Sequence, residues 1–138
     1  MIRIVIDASV DVVTHWAGIG MVYKEKKIYR QLKHGLNEQM DNHLAEFYAL
    51  YYALIYLKQH SKQKDWIMIE SDSKIVCDSV RKAWHRRDPY QTLLKACLDL
   101  MSEFDHLLLQ WTCEAKTKGA DRLARQAMRQ QVKKMENA

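Results

Sequence analysis

Trp66-Ile67-Met68-Ile69-Glu70-Ser71-Asp72-Ser73 is the stretch that decides the fold class. Four consecutive apolar residues give way to polar ones, and Val76, Cys77, Val80 and Trp84 then recur at helical spacing. A buried strand that runs directly into a helix is the unit of a sheet with helical crossovers. Downstream, His85-Arg86-Arg87-Asp88-Pro89 breaks the pattern. Tyr90 to Glu103 reads as another helix, with Leu93, Leu94, Cys97, Leu98 and Met101 on one face, and Leu107 to Trp111 reads as a second buried strand. Upstream, His43 to Gln59 is long, rich in Leu, Ala and aromatics, and free of Gly and Pro, which favours a helix apolar nearly all round and buried on most of its surface.

At the N-terminus, Ile2, Ile4 and Ile6 alternate with Arg3, Val5 and Asp7, the period-two pattern of a strand with one apolar face. Val10 to His15 reads as polar and irregular, so Asp7 is expected at the end of this strand. Trp16 to Tyr23 and Lys27 to Lys33 flank Lys24-Glu25-Lys26 as an antiparallel hairpin. Gly18 and Gly20 weaken its first strand and mark a close backbone approach. Ala120 to about Lys134 reads as a final helix, with Leu123, Ala124, Ala127, Met128 and Val132 inward and a stripe of Arg122, Arg125, Arg129 and Lys133 outward. The expected architecture is α/β: a mixed sheet, its first three strands antiparallel, flanked by helices.

The 138 residues suit one domain spanning 1–138, with 48% hydrophobic and 28% charged residues arguing against disorder. A formal net charge of +5 favours polyanionic partners. Cys77, Cys97 and Cys113 are odd in number and not closely spaced, so neither a disulfide framework, a disulfide-linked partner nor a cysteine-rich metal site is expected. The longest apolar run, Phe47 to Leu57, is eleven residues, well short of the roughly 18 of a membrane span, so no membrane partner is expected. The first residues are too soon interrupted by charge for a signal peptide, and the expected location is cytoplasmic.

Four carboxylates stand in suggestive places. Glu46 is the only charged residue between Leu44 and Leu57, and an ionised carboxylate in so apolar a helix costs several kcal/mol unless it is compensated, for instance by a bound cation. Asp7 and Asp72 follow strands, where ligand sites of open sheets gather, and Asp121 opens the last helix. Each also has a plainer reading: Asp72, Ser71 or Ser73 as a helix cap, Asp121 as a favourable first-turn charge, Asp7 as a turn residue, Glu46 as the partner of a Lys or Arg. If the four converge, an oxygen-only donor set selects Mg²⁺ or Mn²⁺. Two such ions would suit hydrolysis of a phosphodiester.

These residues carry a resemblance over nearly the whole chain. Asp7-Ala8-Ser9 after its strand, Asn42-His43-Leu44-Ala45-Glu46 before Ala49-Leu50, Ser71-Asp72-Ser73 before Val76, and Gly119-Ala120-Asp121-Arg122-Leu123-Ala124 before Ala127 resemble, in order, the four motifs of the type 1 ribonuclease H and reverse-transcriptase-like family. The resemblance implies a ribonuclease H-like fold with a five-stranded mixed sheet, and a two-ion Mg²⁺ site formed by Asp7, Glu46, Asp72 and Asp121, with Mn²⁺ as a substitute. It implies an endonuclease that cuts the RNA strand of RNA/DNA hybrids. By the same resemblance Asn42 and His43 sit where RNA 2′-hydroxyls are read, Trp84, Arg86 and Arg87 where a basic handle grips the DNA strand, and Ser9, Ser73 and Thr117 beside the substrate. Val10 to His15 replaces the family's Gly-rich turn, His43 replaces an Asn, and Trp111 to Lys118 resembles the short form without a mobile His, with Thr117 where Asn is usual. Two other readings stay open: a nucleic-acid-binding protein of this fold with weak or no cleavage, and a nuclease of different substrate on the same scaffold.

Overall fold

Ile2, Ile4 and Ile6 are each 1% exposed and line one face of β1 (Ile2–Val10). The computed structural model describes all residues from Met1 to Ala138. β1 pairs antiparallel with β2 (Ala17–Glu25), which pairs antiparallel with β3 (Ile28–Gly35). On its other side β1 pairs in parallel with β4 (Trp66–Ser71), and β4 in parallel with β5 (His106–Trp111). The sheet order is therefore β3-β2-β1-β4-β5, the expected five-stranded mixed sheet.

α1 (Asn42–Gln59) covers the isoleucine face of β1 and packs against α3 (Tyr90–Met101), while α2 (Lys74–Lys82) lies beside them. Phe47, Leu50, Leu54 and Leu57 of α1 are fully buried, and its four tyrosines are half-buried, as its all-round apolar sequence requires. α4 (Lys118–Glu136) lies on the opposite face, across β1, β2 and β3. Gly18 and Gly20 make that docking possible: a Cβ on Gly20 would strike the Ala120 carbonyl oxygen, and one on Gly18 the Met128 amide nitrogen. The close backbone approach read from these two residues is the contact between β2 and α4.

Four expectations are corrected. β1 runs on through Val10, so Asp7 lies inside the strand, opposite Gly20, and not at its end. Side chains build the turn after Val10: the Asp11 carboxylate accepts from the Thr14 amide and hydroxyl, both at 2.8 Å, and His15 takes a left-handed φ of 64°. The β2–β3 turn is at Lys26-Lys27, one residue later than expected, with Lys26 at a φ of 47°. β5 is an edge strand with Leu108 55% exposed, not a buried one: a continuous apolar run does not by itself distinguish a central strand from an edge. Lastly, α4 begins at Lys118, so Asp121 sits within its first turn instead of opening it.

Candidate metal centre and cleft

The parallel pairing of β1 with β4 ends at Val5 and Glu70. Beyond it β1 continues only with β2, while the Ser71 carbonyl accepts from Thr112 N at 2.8 Å on the far side. The sheet parts here, and such a parting at the carboxyl ends of strands is where open α/β sheets bind ligands. Asp7 enters from β1, Asp72 from the turn after β4, and Glu46 from the first two turns of α1. Oxygens of these three carboxylates lie within 4.8 Å of one another. They open into a cavity of about 960 Å³ that Asn42, His43, Ser73, Thr117 and Asp121 also line.

Electrostatics at this cluster is unfavourable without a counter-charge. No Lys or Arg is ion-paired with Asp7, Glu46 or Asp72, which excludes the plain ion-pair reading of Glu46. Burial, with repulsion from Asp7 and Asp72, pushes the Glu46 carboxyl up to about 9. Burial and the charge of Asp72, with a smaller contribution from Asp121, push Asp7 up to about 7, against the opposing amide of Ala8, 2.9 Å from Asp7 Oδ1. Protons thus take the place of missing positive charge. The donor set is entirely oxygen, two of the three carboxylates are buried, and the residues present fit a hard divalent cation.

The other expected site residues stand around this cluster or away from it. Asp121 lines the cavity but lies outside the tight cluster and is ion-paired with Arg125 Nε at 3.1 Å. Asp72 does not cap α2; Ser73 does, its hydroxyl accepting from Val76 N at 3.2 Å. That leaves the Asp72 carboxylate to accept from the buried Thr117 hydroxyl at 3.1 Å. Asn42 and His43 are exposed at the start of α1, whose cap is Asp41, accepting from Leu44 N at 2.8 Å. Ser9, half-buried opposite Gly18, and the exposed Trp84, Arg86 and Arg87 are not among the residues lining the cavity. The segment that carries the last three is nonetheless anchored beside the cleft: the His85 ring packs on Phe47 of α1, and the Tyr90 hydroxyl donates to Asp41.

Sequence reasoning missed Trp111 and Lys74. The Trp111 indole donates to the Asp72 carbonyl oxygen at 3.2 Å, and Lys74 Nζ lies 5.3 Å from the centre of that ring. Both line the cavity. Trp111 is paired in register with Ser71 at the carboxyl end of β5, so the strand-end argument applied to Asp72 would have found it.

Comparison with known proteins agrees with this geometry. Residues 6–127 match the family described as reverse transcriptase-like. The chain is 34% identical over 128 residues to the "Putative hydrolase EbsB" of Enterococcus faecalis, covering 93% of this chain and 94% of that protein. Among solved structures it is similar to ribonuclease H1 of the halophilic archaeon Halobacterium salinarum (TM-score 0.83, 22% identity, 94% of this chain and 98% of the other). It is also similar to LC11 ribonuclease H1 in complex with an RNA/DNA hybrid (TM-score 0.82, 20% identity, 96% and 99%). At such identities the structural likeness is one of fold.

Proposed function

This chain belongs to the reverse transcriptase-like family, with the ribonuclease H fold, and from that premise we propose that it is a divalent-metal-dependent endonuclease hydrolysing the RNA strand of RNA/DNA hybrids, its 138 residues acting as one domain. The observation that carries the proposal is the convergence of Asp7, Glu46 and Asp72, from three separate elements, within 4.8 Å in the cleft of a basic protein. Asp7, Glu46 and Asp72, with Asp121 from α4, would hold two Mg²⁺ ions, or Mn²⁺ in their place. When bound, such a pair polarises the scissile phosphate and stabilises the entering and leaving oxygens.

The remaining work falls to the chain's own groups. Asn42 and His43, exposed on the cleft wall, offer donors and acceptors to 2′-hydroxyls, the groups that separate RNA from DNA. Lys74, Lys118 and Arg125 put positive charge on the cleft rim against phosphates. Thr117 orients Asp72 by hydrogen bond. Trp84, Arg86 and Arg87 contact the DNA strand by stacking and charge, and Ser9 and Ser73 lie along the substrate backbone. The three cysteines are unpaired and no helix is long and apolar enough to cross a membrane; the cytoplasm is the compartment we assign.

The test incubates the protein with labelled RNA/DNA hybrid, single-stranded RNA and duplex RNA, each with Mg²⁺, Mn²⁺ or chelator. Expected is hybrid cleavage that requires the metal and disappears in Asp72→Asn. Hybrid binding without cleavage overturns the enzyme in favour of a binding protein, and cleavage confined to another substrate overturns the hybrid assignment.

A further inference from the structure

The outer face of α4 carries Lys118, Arg122, Arg125, Arg129 and Lys133, all exposed or half-buried. At successive steps of four, three, four and four residues they form a single stripe along the helix, about 22 Å from end to end at 1.5 Å per residue. A helix face that merely meets water usually interleaves acids with bases so that neighbours one turn apart attract. Here the pairs one turn apart are Lys118–Arg122, Arg125–Arg129 and Arg129–Lys133, which repel. Only Arg125 is ion-paired, with Asp121. The stripe is continuous with the cleft, since Lys118 and Arg125 line the cavity that holds the carboxylates.

We infer that this ridge is an extended nucleic-acid backbone site, which carries a duplex beyond the cleft by neutralising successive phosphates. Regularly spaced cations on a rigid rod, four of the five without an acidic partner, match a polyanion of regular repeat. At roughly 3.4 Å of axis per phosphate on one strand, the stripe spans on the order of six phosphates. Contacts of this kind supply affinity and register without reading sequence. The inference rests on the nuclease reading only in taking a duplex as the partner.

The test measures binding of a fluorescein-labelled 24-base-pair RNA/DNA hybrid by anisotropy in chelator, across a KCl series, for wild type and for the triple variant Arg122→Gln, Arg129→Gln, Lys133→Gln. These three residues lie outside the cleft. Loss of three phosphate contacts predicts a plot of log K against log salt shallower by about 2.7, so that between 50 and 200 mM salt the wild-type affinity falls about 40-fold more than the variant's. Arg129→Gln alone should lower the slope by about 0.9. Metal-dependent cleavage of a hybrid too short to leave the cleft should be the same in wild type and variant. An unchanged slope in both variants overturns the inference, whatever the cleavage assay shows. Failure of wild type to cleave any hybrid, with the slope change intact, overturns the nuclease reading and leaves the ridge standing.

Discussion

Burial of Glu46 beside Asp7 gives the metal-free protein a pH dependence opposite to that of an ordinary ion-paired carboxylate. Both acids hold a proton more tightly in the folded chain, at about 9 and about 7, than in the unfolded chain, where the ordinary values are 4.5 and 3.8. A group whose pKa rises on folding contributes stability below its unfolded value and loses it as pH climbs through the folded one. In chelator, the Tm should therefore decline from about pH 5 to about pH 9, and Glu46→Gln, which cannot ionise, should flatten much of that decline. A Tm independent of pH over this window, followed by circular dichroism, contradicts the assignment. The Thr117 hydroxyl donates to Asp72 Oδ2 at 3.1 Å. Thr117→Val removes it at nearly constant volume and should cost about 0.5–1.5 kcal/mol in urea unfolding. It should also weaken stabilisation by divalent ions more than Thr117→Ser, which keeps the hydroxyl.

Among the elements, β2 and α4 meet backbone to backbone, and Gly20 is the centre of that contact. Gly20→Ala should destabilise the fold by roughly 1–3 kcal/mol, because the obstruction is helix backbone and not the end of a flexible side chain. Urea unfolding with an unchanged m-value would register it. This contact was legible in sequence because glycine weakens a strand and is placed inside one chiefly where a bulge or a close neighbour demands it. So was the place of Glu46 in the carboxylate cluster, since an acid alone in an apolar helix needs something the sequence does not otherwise supply; Asp121, expected to converge with it, stands outside the tight group. Less legible were features in which polar side chains replace the expected backbone chemistry. Asp11 builds the turn after β1 where Gly-rich sequence is usual for the family, so the alternating pattern ends at Asp7 while the strand itself continues for three residues more. Asp41 caps α1 from outside the apolar pattern that marks that helix. The exposure of β5 depends on which strands find partners, and strand composition does not encode that.

For the molecule as a whole, a cation held at this cluster would link binding to folding. A cation that binds only the folded state stabilises it by about 2.7 kcal/mol at 100 times its dissociation constant. In a domain of this size that is roughly 8 °C in Tm. Scanning calorimetry with millimolar Mg²⁺ or Mn²⁺ should show such a shift, growing as pH rises from about 6 to about 9 because the ions must displace protons from Asp7 and Glu46. Asp72→Asn should lose most of it.

The dispersal of Asp7, Glu46 and Asp72 over β1, α1 and the end of β4 would also give a bound ion a place in time. No local segment presents more than one of them, and the cluster is complete only once β1 has aligned with β4, a long-range pairing whose loop-closure cost precedes the contacts it makes. Divalent ions should therefore leave the refolding rate nearly untouched and slow the unfolding rate, so that the metal works as a latch that engages only after the chain has found its shape.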